Sequence, residues 1–178
     1  MPFTIRDATE ADIPAIAAIY GHAVRHGRAS FETEAPDEAE VARRRAAIVS
    51  RGMPYLVADA PGRGVLGYAY AGPYRPRPAY RFSLENSIYI APDSQGGGIG
   101  GALLPALIAR SEAAGYRLMI AVIGDSANRA SIRLHERCGF APIGVLPSVG
   151  WKHDQWLDTV LMARALGPGA STPPAAGA

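Results

Sequence analysis

The sequence predicts the α/β class, a mixed central β-sheet flanked by α-helices, and three observations predict it. Two segments repeat apolar residues at helical spacing, and start or stop residues mark two further helices. Apolar, strand-like runs fall between them, so the two kinds of element alternate along the chain. Midway, the glycine-rich turn Gln95-Gly96-Gly97-Gly98-Ile99-Gly100-Gly101 joins one such strand to one such helix.

Residues 4–7 read as the first strand. Thr9, with Asp12 three residues later, resembles a capping box, and Ile13, Ile16, Ile19 and Tyr20 give the next helix one apolar face. Pro14 falls in its first turn, where the missing N–H costs little. Asp37 with Glu40 marks a second helix start, ending near Gly52. Residues 55–59 and 65–74 are strand-like and joined by the turn Ala60-Pro61-Gly62-Arg63-Gly64. A basic loop over 75–81 leads into a strand over 82–91. Beyond the glycine turn, Leu103, Leu104, Leu107 and Ile108 face a core on a third helix that runs to about Gly115. Residues 117–123 read as a buried strand and 128–138 as the fourth helix, with Gly139 as its C-terminal stop. Residues 140–147 and 157–163 complete the sheet.

Length and composition bound the function. A chain of 178 residues makes one domain with a proper core, needing no disulfide or structural metal. That domain is expected over 1–166. Residues 167–178 are Gly, Pro, Ala, Ser and Thr, which bury too little to offset their ordering entropy, so a disordered tail is expected. No apolar run approaches the roughly 20 residues of a membrane span. The N-terminal stretch lacks a signal-peptide core, and Cys138 is the single cysteine, so the expected location is cytoplasmic. A formal charge of +2 does not imply nucleic acid. Of the 18 basic residues only Lys152 is lysine, a bias of composition that leaves one lysine to test. His22, His26 and His153 lack metal-ligand spacing with carboxylates or Cys138, so no metal is expected.

A glycine-rich turn between strand and helix leaves backbone N–H groups unpaired and lets a ligand approach without meeting a Cβ. The helix dipole points at the same place, so a phosphorylated ligand is expected there. Three readings of the turn compete. A loop ending in Gly-Lys-Ser/Thr fails for want of a lysine. The dinucleotide pattern is met by Gly96, Gly98 and Gly101, with Asp125 about 20 residues on for a ribose. Against it, Pro92-Asp93-Ser94-Gln95 separate strand from loop, and the 77 residues after Gly101 are too few for the rest of a doubly wound sheet. The third pattern, Gln-x-x-Gly-x-Gly, is met by Gln95, Gly98 and Gly100.

That third pattern resembles the pyrophosphate loop of the GCN5-related N-acetyltransferases (GNAT). A second block, from Asn128 and Ser131 to Gly139-Phe140, resembles the family's later helix, whose Asn-x-x-Ser and Gly-Phe ending flank the acetyl-CoA thioester. Phe31-Glu32-Thr33-Glu34, Tyr74 to Tyr80, Glu85 to Ile90, Ile123 to Ser126 and Ser148 to Lys152 narrow the likeness to the phosphinothricin N-acetyltransferase branch. Together they span about residues 4–166. The resemblance implies the GNAT fold, with acetyl-CoA as co-substrate at a splayed strand pair. It implies acetylation of the α-amine of a small amino-acid-like acid, such as phosphinothricin, methionine sulfoximine or methionine sulfone. A homodimer is implied as well.

Roles follow from the resemblance, residue by residue. Gln95, Gly96, Gly97, Gly98, Ile99, Gly100 and Gly101 would grip the pyrophosphate. The backbone of Ile88, Tyr89 and Ile90 would meet the pantetheine arm, and an N–H there would hold the carbonyl oxygen as charge develops. Asn128 would orient the cofactor or a water, or serve as a helix N-cap, with Ser131 beside it. Glu85 is the candidate base, because an ammonium must lose a proton before it attacks, and a carboxylate in a strand-like run is costly to bury without work to do; the alternative is an outward-facing carboxylate. His135 stands where many members of the superfamily carry a tyrosine thought to protonate the thiolate. Imidazole can do so near neutral pH, or can simply bond at a helix edge.

Arg75, Arg77 and Tyr80 would bind the substrate's acidic groups, since guanidinium forks suit such oxygens, with Ser87 nearby. Phe31 would be an apolar wall or a core residue. Val149, Gly150 and Lys152 resemble the loop that closes the pocket, in the same or a partner subunit, or form a plain connection between the last strands. Cys138 reads as a small hydrophobe. Two other classes stay open: a non-catalytic acetyl-CoA sensor, and an NAD-binding oxidoreductase using Asp125.

Overall fold

Strand side chains alternate between two faces, and in the central strands of this chain both faces are apolar, so both need cover. On one face Leu56, Ala69, Leu84, Met119 and Met162 pack with Leu103, Leu104 and Leu107. On the other, Tyr55, Val57 and Tyr68 pack with Ile13, Ile16, Ile19 and Val41. The result is a seven-stranded sheet between two helical layers in a computed structural model that describes residues 2–174. The first face carries α3 (Ile99–Ala113) and α4 (Arg129–Arg137); the second carries α1 (Ile13–His26) and α2 (Glu38–Val49).

The strands are β1 (Thr4–Asp7), β2 (Tyr55–Ala60), β3 (Gly64–Pro73), β4 (Ser83–Ile90), β5 (Leu118–Gly124), β6 (Ala141–Lys152) and β7 (Gln155–Ala165), in spatial order β1-β2-β3-β4-β5-β7-β6. Every pairing is antiparallel except β4 with β5. That parallel ladder runs from Ser83↔Leu118 to Asn86↔Ala121 and stops. Beyond it β4 continues to Ile90 and β5 to Gly124 without pairing to each other, so the two strands part.

Local chemistry explains the helix starts. The Thr9–Asp12 capping box forms, with Thr9 N donating to Asp12 Oδ2 at 2.7 Å, and a short 3-10 turn over Glu10–Asp12 feeds α1. Asp37 Oδ1 accepts from Glu40 N at 2.8 Å to cap α2. Asn128 Oδ1 accepts from Ser131 N at 3.2 Å to cap α4, and Gly139 ends that helix at φ +80. Leu103, Leu104 and Leu107 are fully buried on α3. Truncating one to alanine costs about 2–5 kcal/mol.

One stretch differs from expectation. Residues 148–152 are strand, not a connection: β6 continues past Pro147 through a register shift at Leu146/Gly150. There Ser148 takes a left-handed conformation (φ 50) and donates its N–H to Asp158 Oδ1 at 2.9 Å. The turn that follows is His153-Asp154, both at positive φ, the geometry a two-residue hairpin needs to match strand twist. Residues 167–174 run on from β7, with Arg117 donating to the carbonyls of Gly169 at 3.0 Å and Pro173 at 3.1 Å. The rest of the segment expected to be disordered, 175–178, lies outside the described residues.

Candidate active site

The parting of β4 and β5 opens a cleft whose walls include Ser87, Ile88, Val122, Gly124, Asn128 and Ser131. Backbone groups of β4 beyond Asn86 that would have continued the ladder are available there. Gly124 has no Cβ for a reason. One placed there would stand 2.6 Å from Arg28 O and 2.7 Å from Ala29 O, so the segment joining α1 to α2 crosses the end of β5 at that glycine.

Alternation divides β4 between two environments. Leu84 and Ile88 face the α3/α4 core, while Tyr89 faces the α1/α2 core with Glu85 and Ser87 on its side. Glu85 is half-buried between Gly72 of β3 and Ile120 of β5. Burial raises its pKa above the ordinary carboxylate value, and the charge of Arg75 acts at a distance in the other direction. A carboxylate held this way is a stronger base than an exposed one.

Arg75 belongs to the loop between β3 and β4, tied off by Tyr74 N to Ser83 O at 3.2 Å. Its guanidinium lies 5.0 Å from the centre of the Tyr74 ring, which meets Tyr80 edge-on at 5.8 Å. Arg77 and Tyr80 are exposed on the same loop. Phe31 is 38% exposed and packs on Gly150 so closely that a Cβ there has no room. Lys152 is buried at the end of β6 and donates from Nζ to Ser30 O at 2.6 Å. Phe31, Gly150 and Lys152 therefore meet within one chain, whereas Val149 is exposed. Cys138 is partly buried at the end of α4, where burial pushes its thiol pKa up and leaves a poor nucleophile.

Some neighbours of the site, Tyr55, Tyr68 and Tyr70 among them, went unnoticed in the sequence. Tyr55, Tyr68, Tyr70 and Tyr89 stack beneath α1, with ring centres 5.0 Å (Tyr55–Tyr70) and 5.5 Å (Tyr68–Tyr89) apart. Tyr70 bonds the Ser87 side chain. Tyr20 donates to Glu32 Oε1 at 2.8 Å and also bonds Ser30 Oγ at 2.9 Å, and burial pushes its pKa up to about 12. The period-two pair Tyr68-x-Tyr70 was a signal for one buried face. Nothing local signalled the Ser30–Lys152 contact, made across 122 positions. Asn86 and His135 also line the cleft and meet there, at 3.0 Å.

The glycine turn fits a pyrophosphate. Gln95 to Gly98 are exposed, Gly96 and Gly98 lie at φ +78 and +79, and Gly98 caps α3 without a side-chain acceptor. The first N–H groups of α3 thus point outward for an anion. Gly100 abuts Leu134 of α4, with 3.1 Å from its added Cβ to Leu134 Cδ2. A dinucleotide fits poorly. A 3-10 turn over Pro92–Ser94 separates β4 from the loop, and the Asp125 carboxylate is engaged by Arg28 at 3.0 Å and Ala127 N at 2.9 Å. Among the described residues no group of three or more His, Cys, Asp or Glu could hold a metal, and no helix is long and apolar enough to cross a membrane.

Comparison with known proteins agrees with this geometry. Residues 17–140 match the model of the Acetyltransferase (GNAT) family. A phosphinothricin N-acetyltransferase from Alcaligenes faecalis is 54% identical over 171 residues, covering 96% of this chain and 86% of that protein. An L-methionine sulfoximine/L-methionine sulfone acetyltransferase from Pseudomonas aeruginosa is 43% identical over 97% of this chain and 100% of its own length. The crystal structure of a GNAT superfamily phosphinothricin acetyltransferase from Sinorhizobium meliloti, in complex with acetyl-CoA, superposes with a TM-score of 0.96 at 47% identity, covering 99% of this chain and 95% of that one. The splayed β4–β5 pair, the glycine turn opening α3 and these relatives lead to one statement: the chain belongs to the GNAT family of acetyltransferases.

Proposed function

We propose that this chain transfers the acetyl group of acetyl-CoA to the α-amine of a small amino-acid-like acid of the phosphinothricin, methionine sulfoximine or methionine sulfone type, with Glu85 as general base. The observation that carries the reading is the Glu85 carboxylate, half-buried beside the point where the strands part, with a raised pKa and Arg75 within electrostatic reach. The activities named for the 54% and 43% identical relatives support the substrate class.

Acetyl-CoA supplies an activated thioester. The glycine turn at Gln95–Gly101 holds its pyrophosphate on the N-terminus of α3, and the Ile88–Ile90 stretch of β4, paired with β3 but no longer with β5, holds the pantetheine arm along its open side. Asn128 and Ser131 flank the reacting end. Arg75 and Arg77 fix the acceptor's acidic group, Tyr80 and Ser87 add hydroxyls, and Phe31, packed on Gly150, walls one side. Val149 closes the entrance and Lys152 holds the Ser30 carbonyl behind it. Positioning both partners turns a bimolecular encounter into a local one. Glu85 accepts a proton from the ammonium, directly or through water, and frees the lone pair. A backbone N–H on the side of β4 that has parted from β5 stabilises the carbonyl oxygen as it becomes negative. The amine nitrogen loses its second proton as the C–S bond breaks, so amide, thiol and one solvent proton balance the reaction.

The enzyme is further proposed to act as a homodimer. Strand β6 is the sheet edge, and Ile143, Val145, Leu146, Val149, Trp151 and Trp156 expose a large apolar area along the β6–β7 arm.

The deciding assay is thiol release from acetyl-CoA with a panel of amines. Turnover with phosphinothricin, methionine sulfoximine and methionine sulfone, abolished by Glu85→Gln, is expected. Turnover confined to a polyamine or a basic peptide would overturn the anionic-acceptor reading, and tight CoA binding without any turnover would favour a sensor.

A further inference from the structure

Asn86 has no part in the mechanism above, yet it sits where β4 and β5 separate. It is the last β4 residue paired with β5, opposite Ala121, and is 6% exposed. Its Nδ2 donates to Ile120 O of β5 at 3.1 Å, and its Oδ1 lies 3.0 Å from His135 Nε2. The other ring nitrogen, Nδ1, lies 2.8 Å from Ser131 O.

Counting donors and acceptors constrains the protons. Carbonyl oxygens only accept. Turning the Asn86 amide over would set its oxygen against Ile120 O, two acceptors in contact, so the amide orientation is fixed by the network. His135 Nε2 must then donate to Oδ1, and Nδ1 must donate to Ser131 O. The Ser131 hydroxyl, 3.4 Å from Nδ1, is too distant to compete with a carbonyl at 2.8 Å. Both bonds exist together only when both ring nitrogens carry hydrogen.

We propose that His135 and Asn86 form a positioning clamp, in which a doubly protonated imidazole joins Ser131 O of α4 to Asn86 Oδ1 of β4, and Asn86 Nδ2 joins β4 to Ile120 O of β5. The clamp pins the branch point. Without it, the ladder is free to close one step further, pairing Ser87 with Val122 and narrowing the groove that receives the acyl donor. With both N–H groups committed to carbonyl oxygens, His135 is a positioning residue and does not hand a proton to the departing thiolate.

The surroundings of the ring supply no charge to decide its state. Strand β5 carries no titratable residue, β4 carries Glu85 on the opposite face, and Phe140 presents its ring edge-on at 4.9 Å. Arg133, Glu136 and Arg137 of α4 are exposed. Arg164 of β7 is occupied with Cys138 O and Glu112, and Arg110 of α3 with Asp7. Burial, the larger influence, draws the His135 pKa below the ordinary histidine value, and the hydrogen bond to the Ser131 carbonyl opposes it. The clamp is therefore a balance between desolvation and two acceptors, and loss of the proton breaks one of its two bonds.

The test reads the free protein first, and only its kinetic arm rests on the acetyl-CoA reading. Ring-nitrogen NMR spectra of the four histidines, with His135 identified by the signals absent from His135→Gln, report protonation directly. At about pH 5, well below the midpoint of about 6.5 of exposed histidines, both His135 nitrogens are expected to be protonated, and Asn86→Ala is expected to move this titration to lower pH. A His135 ring with one bare nitrogen at that pH overturns the proposal. In kinetics, Asn86→Ala and His135→Gln should each raise KM for acetyl-CoA about tenfold, the scale of one charge-assisted hydrogen bond. The amine KM should hold, and the double variant should be no worse than either single one, because each breaks the same clamp. A kcat loss confined to His135→Gln, additive with Asn86→Ala and accompanied by loss of the alkaline limb of the pH profile, would overturn the clamp in favour of an acid. If the variants do not fold, the wild-type spectrum decides alone. An inactive wild type with a doubly protonated His135 would sink the proposed reaction and leave the clamp standing.

Discussion

Glu85 and Asp12 are two carboxylates driven in opposite directions by their neighbours. Burial raises Glu85, and the charge of Arg75 partly offsets it. The base must be ionised to work, so kcat/KM should fall on acidification with an apparent pKa above the ordinary glutamate value of about 4.3. Arg75→Gln removes the cation that favours the ionised form, so this limb should move to higher pH; a limb that stays in place or moves down would refute the coupling. Glu85→Gln should lower kcat about 10²- to 10⁴-fold, as loss of a general base does. Asp12 is held down at about 2, first by hydrogen bonds from Arg6 at 2.7 and 2.8 Å, with the Thr9 cap adding to the effect. A depressed acid stabilises the fold above its unfolded pKa and loses that contribution as pH falls through the folded one. Asp12→Asn should therefore cost about 1–2 kcal/mol at neutral pH. In thermal melts the two proteins should converge as pH falls from about 4 towards 2.

At the scale of elements, the turn into α3 separates a structural role for glycine from a binding one. Gly98 lies at φ +79, so Gly98→Ala should cost about 1–2 kcal/mol of stability through backbone strain alone. Gly101 is helical, and an added Cβ there meets nothing within 4 Å. Gly101→Ala should raise the melting temperature, since alanine is preferred to glycine in a helix by about 1 kcal/mol. If the N-terminus of α3 grips a pyrophosphate, the same variant should raise KM for acetyl-CoA. Raised stability with unchanged KM would place the pyrophosphate elsewhere. The β6–β7 arm is positioned by Asp158, which accepts from Ser126 Oγ at 2.7 Å and from Ser148 N at 2.9 Å, tying the bulge in β6 to the loop after β5.

For the whole molecule, the outstanding feature is an exposed apolar sheet edge. Residues 141–149 of β6 are exposed throughout, and Trp151 and Trp156 stand 55% and 62% exposed with rings in edge contact at 5.3 Å. A free, apolar edge strand invites pairing with another chain. Sedimentation equilibrium should find two chains per particle for the wild type and one for Trp156→Glu. A wild type that stays monomeric at high concentration would remove the dimer from the proposal. The amine KM of the monomeric variant then reports whether a second copy helps to form the acceptor pocket.

Much of this was local and hence legible in the chain. The Thr9–Asp12 capping box, the leucine face of α3, the apolar strand-like runs and the glycine turn each depend on neighbours within a few positions, where spacing and backbone freedom decide the outcome. Glu85 was legible because a lone carboxylate in an apolar strand conflicts with its surroundings. What only the tertiary structure decided depends on contacts distant in sequence. The ladder stops at Asn86↔Ala121, Lys152 reaches Ser30, and Asn86 stands opposite His135, 49 positions away. Hydrogen-bond directionality then dictates which atoms donate, and no periodicity encodes that, because the donors and acceptors become neighbours only once the sheet and helices have packed.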